Sequence, residues 1–116
     1  MWDKSGNSYE GTFENNLREG YGKFKFESGD TFTGNFVDDK FSGFGVYIEA
    51  FPGSIYEGEF SNNKFDGFGT WTWRNGDYYK GHFSEGERDG YGEMHYKNGT
   101  IWKAIYKKGY LIDKEV

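Results

Sequence analysis

The stretch Tyr56-Glu57-Gly58-Glu59-Phe60, completed by Gly67-Phe68-Gly69-Thr70-Trp71-Thr72-Trp73, decides the fold because the rest of the chain repeats it. Aligned on the first aromatic, the copies begin at Tyr9, Phe32, Tyr56, Tyr79 and Trp102, at spacings of 23, 24, 23 and 23 residues. A fixed period of this length marks a repeat array, in which each unit buries its apolar face against a neighbour. Every unit carries the same punctuation. A glycine stands two residues after the opening aromatic (Gly11, Gly34, Gly58, Gly81), and a second aromatic follows at Phe13, Phe36, Phe60, Phe83 and Tyr106. Next come the triplets Gly20-Tyr21-Gly22, Gly43-Phe44-Gly45, Gly67-Phe68-Gly69 and Gly90-Tyr91-Gly92, then a closing glycine at 29, 53, 76 and 99. With Gly6, these frames hold 17 of the 19 glycines.

Within a unit the pattern has the period of a strand. Tyr9, Gly11 and Phe13 fall on one face and Glu10, Thr12 and Glu14 on the other. A polar loop is expected over Asn15–Glu19. A second strand then sets Gly22, Phe24 and Phe26 against Tyr21, Lys23 and Lys25. Each unit therefore reads as a β-hairpin, with Asn75-Gly76 and Asn98-Gly99 as tight-turn signals. The expected fold is all-β, a single-layer antiparallel meander of stacked hairpins forming a twisted, solenoid-like array. Nine or ten strands at about 4.8 Å each give a body about 40–45 Å long. One array spans residues 1–116: a partial unit 1–8, in which Trp2 stands for the strand aromatic, full units 9–31, 32–55, 56–78 and 79–101, and a degenerate unit 102–116. The extra residue of the second unit lies between Val46 and Gly53, where Pro52 predicts a bulged or widened turn. In the last unit Ala104 replaces glycine, and Gly109-Tyr110-Leu111-Ile112 either caps the final hairpin or docks elsewhere.

Composition narrows the function. Aromatics make up 22% of the chain while leucine occurs at Leu17 and Leu111 alone, so rings laid over glycine backbone must supply the core. No cysteine is present, and no apolar run approaches the roughly 18 residues that span a bilayer. The expectation is a soluble cytoplasmic protein. Net charge is −5, divided as −6 over residues 1–60 and +1 over 61–116, which gives no support for nucleic acid. No catalytic cluster converges, and no cofactor or metal is expected. His82, Glu93 and His95 share a hairpin but read as exposed sheet residues, and the Gly-x-Gly triplets enter strands rather than helices.

The pattern Tyr-Glu-Gly-Glu-Phe, a loop, and Gly-Phe-Gly-Thr-Trp resembles the MORN (membrane occupation and recognition nexus) repeat. It departs from that pattern in the extra residue near Pro52, in Phe32 where tyrosine opens a unit, and in the eroded fifth copy. The resemblance implies a right-handed, groove-forming array of hairpins. It implies little about activity, because such repeats occur in junction-forming membrane proteins, phosphoinositide kinases, a lysine methyltransferase, ciliary and spoke proteins and parasite cytoskeletal scaffolds.

The aromatic stripe admits two readings, a stacked core or a partly exposed groove. As a groove, Phe32, Tyr47, Tyr56, Trp71, Trp73, Tyr79, Tyr96 and Trp102 would grip an apolar or amphipathic segment of a protein partner, since exposed aromatic patches mark binding surfaces. Phe41 and Phe65 form a second candidate patch in the loops, beside Lys40 and Lys64. The expected function is thus a non-enzymatic protein-interaction or scaffold module, with self-association through its ends as a homodimer or end to end. The alternative is an anionic-phospholipid (phosphoinositide) binder using Lys103, Lys107 and Lys108.

Overall fold

A computed structural model of the chain, describing residues 6–51 and 53–115, contains ten strands. They are β1 (Ser8–Glu14), β2 (Leu17–Lys25), β3 (Thr31–Val37), β4 (Lys40–Ile48), β5 (Ile55–Ser61), β6 (Lys64–Thr72), β7 (Tyr78–Ser84), β8 (Glu87–His95), β9 (Ile101–Lys107) and β10 (Tyr110–Glu115). All ten join one open antiparallel sheet in chain order, 49 × 24 × 19 Å in extent. The hairpin array read from the sequence is the fold. Gly6 has the positive φ expected of a closing glycine, whereas Trp2 and Pro52 lie outside the described residues.

The loop expected at Asn15–Glu19 is not one. Each unit turns on two residues, Asn15-Asn16, Asp38-Asp39, Asn62-Asn63, Glu85-Gly86 and Lys108-Gly109, all at positive φ. That is the geometry of a type I′ turn, whose twist matches the flanking strands and which Asn, Asp and Gly tolerate best. The residues after the turn are consequently strand. Between Gly34↔Gly45 and Phe36↔Phe41 the register shifts, with three residues of β4 facing one of β3. The same shift recurs at Gly11/Phe13, Gly58/Phe60 and Gly81/Phe83. It returns Phe41 and Phe65 to the aromatic face. The widened turn of the second unit is present: the Glu49 N–H donates to the Ser54 carbonyl at 2.9 Å, across one residue more than the Trp73–Asp77 turn.

The core is built by rings lying on glycine. Gly11↔Gly22, Gly34↔Gly45, Gly58↔Gly69 and Gly81↔Gly92 are cross-strand partners. Across each pair lies the opening ring of its unit. A Cβ added at Gly69 would stand 2.3 Å from the Tyr56 Oη, and one at Gly45 2.5 Å from the Phe32 ring. The Tyr9, Tyr56 and Tyr79 hydroxyls donate to the carbonyls of Thr12, Glu59 and His82 at 2.8, 2.8 and 3.2 Å. Second-column rings wedge between successive opening rings, edge to face. Phe36 meets Tyr9 and Phe32 at 5.1 and 5.3 Å, Phe60 meets Phe32 and Tyr56 at 4.9 and 5.1 Å, and Phe83 meets Tyr56 and Tyr79 at 5.0 and 5.4 Å. Tyr106 ends the chain against Tyr79 at 5.4 Å. Each such pair contributes about 0.5–1.5 kcal/mol beyond the area it buries.

Backbone bonds fasten both long edges of the array. The N–H groups of Asp39, Asn63, Gly86 and Gly109 donate to the carbonyls of Arg18, Phe41, Phe65 and Arg88 in the preceding unit, at 2.8–3.2 Å. On the opposite edge, Asn7, Asp30 and Asp77 carboxyl or amide oxygens accept the N–H groups of Glu27, Ala50 and Lys97 at 2.8–2.9 Å.

Two substitutions test the ring-on-glycine contact. Gly69→Ala should lower stability by about 3 kcal/mol, because the buried Tyr56 ring has no room to move. Phe32→Tyr should raise it by about 1 kcal/mol, since the Asn35 carbonyl stands where its siblings accept a hydroxyl. Urea midpoints of the two variants decide; an unchanged midpoint for Gly69→Ala would remove the contact from this account.

Candidate binding groove

Alternation along the strands divides the sheet into two unlike faces. Phe44 and Phe68, from the Gly-aromatic-Gly triplets, project exposed from the far face beside Glu59 and His82 in register, so polar side chains interrupt the apolar surface there. On the near face the rings form two layers. The lower layer holds Phe32, Tyr56 and Tyr79, each 0% exposed. These three cannot touch a partner: each lies between its glycine pair and the rings packed above and beside it. They are core, not groove.

Phe41 and Phe65 are corrected in the same way. Neither is in a loop. Phe41 stacks on Phe32 at 4.0 Å and 11°, and Phe65 stacks on Tyr56 at 3.9 Å and 13°. Phe41 is buried, while Phe65 keeps one side open. The sequence reading also missed the residues that occupy this place in the first and fourth units, Arg18 and Arg88. The Arg18 guanidinium covers Phe24 at 4.7 Å and Phe36 at 5.4 Å, and that of Arg88 covers Tyr106 at 4.5 Å and Trp73 at 5.7 Å. Aligned two residues after each hairpin turn, the column reads Arg-Phe-Phe-Arg-Leu, ending at Leu111; that alignment is the signal that could have found them.

The upper layer is the open strip. Phe26 contacts Tyr47 at 5.8 Å, Tyr47 contacts Phe65 at 6.2 Å, and Phe65 contacts Trp71 at 5.6 Å. Trp73 continues the strip beyond Trp71, facing Met94 and Tyr96 across a cleft that also borders Ser54 and Asp77. Tyr96 meets Trp102 at 5.1 Å, and the Lys114 ammonium lies 3.6 Å over the Trp102 ring. Five of the eight expected groove residues, Tyr47, Trp71, Trp73, Tyr96 and Trp102, are therefore half-buried and in one row, with Phe26 and Phe65 added.

Other candidates lie apart from it. Lys103 and Lys107 are exposed on β9 with strand parity opposite to Trp102, and Lys108 sits in the final turn. Glu93 is the cross-strand partner of Lys103, so the lysines do not form an uninterrupted basic patch. His82 packs on Phe68 at 5.8 Å, whereas His95 stacks on Tyr78 at 4.5 Å and bonds Glu93 at 3.0 Å. No group of three metal-ligating side chains occurs among the described residues.

A family model described as MORN repeat matches residues 9–31, 32–48, 56–78 and 79–101. The second match stops at Ile48, one residue before the widened turn. No curated protein matches the chain.

The buried hydroxyls make the array sensitive to alkali. Burial raises the Tyr9, Tyr47, Tyr56 and Tyr79 hydroxyls above their ordinary value of 10.0. The hydrogen bond from Tyr47 to Asp30 adds to the effect, as do the charges of Glu59 and Asp66 at Tyr56. Tyr79 is pushed up to about 12, Arg88 opposing the rise. An unfolded tyrosine loses its proton near pH 10 while the folded one holds it. The stability these groups confer is thus intact below pH 10 and is lost, for Tyr79, as pH rises from 10 to about 12. Urea midpoints should be flat from about pH 7 to 9.5 and fall steeply above 10. Tyr79→Phe should show a shallower fall, and an equal slope in that variant would contradict the assignment.

Proposed function

The chain belongs to the MORN repeat family, whose repeats commonly mediate protein or membrane interaction, and from that premise we propose that this array is a protein-binding module. Its ligand is an apolar or amphipathic segment of a cytoplasmic partner of the cytoskeletal, ciliary or motor-associated kind, laid along the open strip. The observation that carries the reading is the second ring layer. A single-layer sheet needs the Phe32–Tyr56–Tyr79 layer for its core, and it leaves Tyr47, Phe65, Trp71, Trp73, Tyr96 and Trp102 half-exposed in a row. Large, rigid rings with few rotamers lose little entropy on binding, which suits them as anchors. They already rest on packed neighbours, so little reorganisation accompanies binding.

The membrane alternative draws on Lys103, Lys107 and Lys108, which stand away from the strip, on a chain of net charge −5. Each basic residue near an anionic surface contributes about 1 kcal/mol, and nearby carboxylates subtract from it. The protein reading is the better supported.

Site-specific photocrosslinking in cells separates the faces. A benzoylphenylalanine at Tyr96 should give a discrete adduct, lost when Trp71→Ala and Trp73→Ala are introduced together; the same group at Phe44, on the far face, should give none. Adducts from Phe44 but not Tyr96 would move the site to the other face and refute this assignment.

A further inference from the structure

Two arginines hold the same place in the repeat, and only one has a counter-ion among the described residues. Arg18 stands two residues after its hairpin turn, and the turn of the next unit brings Asp39 to it. Arg18 Nε lies 2.5 Å from Asp39 Oδ1, and its Nη2 donates to the Asp39 carbonyl at 2.9 Å. Arg88 repeats the position three units later. The turn that follows it is Lys108-Gly109, so glycine stands where Asp39 stands for Arg18. The backbone is alike, with φ of +85° at Gly109 and +73° at Asp39, and both turn N–H groups bond the arginine's carbonyl. What is missing is the carboxylate.

No other carboxylate among the described residues pairs with Arg88; that of Glu87 lies beside Gly109 without an ion pair to the arginine. The Asp89 carboxylate accepts the Lys108 N–H at 3.1 Å. Arg88 has only the rings of Trp73, Tyr79 and Tyr106, with its Nη1 donating to the Tyr106 hydroxyl at 3.5 Å. Stacking uses the face of a guanidinium and leaves donors on its edge. The group is half-buried, in a pocket shared with Phe65, Trp71, Trp73, Phe83 and Gly86. This is the middle of the strip described above.

We propose that the segment bound in the groove carries a carboxylate that pairs with Arg88, next to a large apolar side chain that covers Trp71 and Trp73. The inference rests on the groove reading and adds the chemistry of its ligand. A purely apolar segment closing over this pocket would strip water from an unpaired cation and is selected against. A carboxylate meets the edge donors in the bidentate geometry that guanidinium favours, and the surrounding rings exclude competing water. A peptide acid fits better than a lipid headgroup, because one carboxylate among apolar side chains can approach a chain of net charge −5 that an anionic bilayer would repel.

The test restores the missing counter-ion from within. Gly109→Asp places a carboxylate at a positive φ close to the one Asp39 adopts, at some backbone strain, and the Glu87 carboxylate, whose Oε2 lies 3.1 Å from the new Cβ, has to swing aside. Random twelve-residue peptides displayed on phage are selected on three proteins: the unaltered chain, Gly109→Asp, and Trp71→Ala with Trp73→Ala. On the unaltered chain the enriched peptides should pair Asp or Glu with a large apolar residue. Changing that acid to its amide in the best synthetic peptide should weaken binding about tenfold, the scale of a desolvated charged pair. On Gly109→Asp the amide and acid should bind within about twofold of each other, the internal carboxylate having taken the place of the ligand's. Should that variant fail to fold, Arg88→Gln gives the same readout. Enriched peptides without an acid, or an acid preference unchanged in both variants, overturn the proposal and leave the groove standing. No enrichment above the double tryptophan variant overturns the groove and the proposal together. Capture of phosphatidylserine vesicles that Gly109→Asp abolishes would assign the guanidinium to lipid and refute the peptide ligand.

Discussion

A ring lying flat on two glycines paired across a hairpin is the contact on which the rest of this protein depends. Without side chains at Gly58 and Gly69, the Tyr56 ring drops to the backbone, and its hydroxyl reaches the Glu59 carbonyl three residues on. Only at that depth can Phe60 and Phe83 pack against it in T-shaped contact, from its own unit and from the next. The edge-to-face chain from Tyr9 to Tyr106 therefore exists because the glycines do. It also explains how a chain with almost no leucine folds. Aromatic burial is large per residue, and the glycine pairs let a single sheet layer enclose rings that a two-layer fold would bury between sheets.

The same contact accounts for what the sequence made legible and what it did not. Period and alternation disclosed the unit, the hairpin and the two faces, because each follows from residue spacing alone. Depth does not follow from spacing. Tyr56 and Trp71 lie on one face, in register with each other, yet the first is buried and the second half-open. The difference is set by whether a glycine pair lies beneath the ring, and by Phe65 stacking over Tyr56. Phe41 and Phe65 looked like loop residues because each falls within the largely polar stretch between two strand aromatics, Phe36 and Phe44 or Phe60 and Phe68. The two-residue turns and the register shift that follows them put both rings back into the sheet. A shift of three residues against one breaks simple alternation, so a period-two reading of those positions assigns them to no face.

Repetition also makes departures informative. Interior units fill the third column with Phe41 and Phe65, whose rings are flanked by units on both sides. The first and fourth units fill it with Arg18 and Arg88, and the fifth with Leu111. Guanidinium is planar enough to stack as phenyl does, while its edge donors reach Asp39 at Arg18 and the Tyr106 hydroxyl at Arg88. Glu49 interrupts the strip at the second unit, where Phe26, Trp73 and Tyr96 stand in the others, and the widened turn follows directly after it. Pairing that leaves the bulk of the strip in the third to fifth units concentrates the exposed tryptophans at that end.

On the proposed reading, these departures would give the groove a direction that the repeat alone lacks. At the N-terminal end, Arg18 is neutralised by Asp39, and Tyr47 donates to Asp30, so its polar groups are satisfied within the chain. Toward the C-terminal end lie Arg88 without a carboxylate, and Lys114 over Trp102. The charge division of −6 and +1 between the halves of the sequence follows the same axis. A segment whose acidic residues lie at one end meets satisfied side chains in one orientation and free cations in the other. Repulsion from the acidic half and attraction at the basic half act on the same choice, since a reversed segment would strand both its own carboxylates and Arg88. On the proposed reading, polarity of binding would come from two or three substituted positions, carried on a stack of buried rings that varies little from unit to unit.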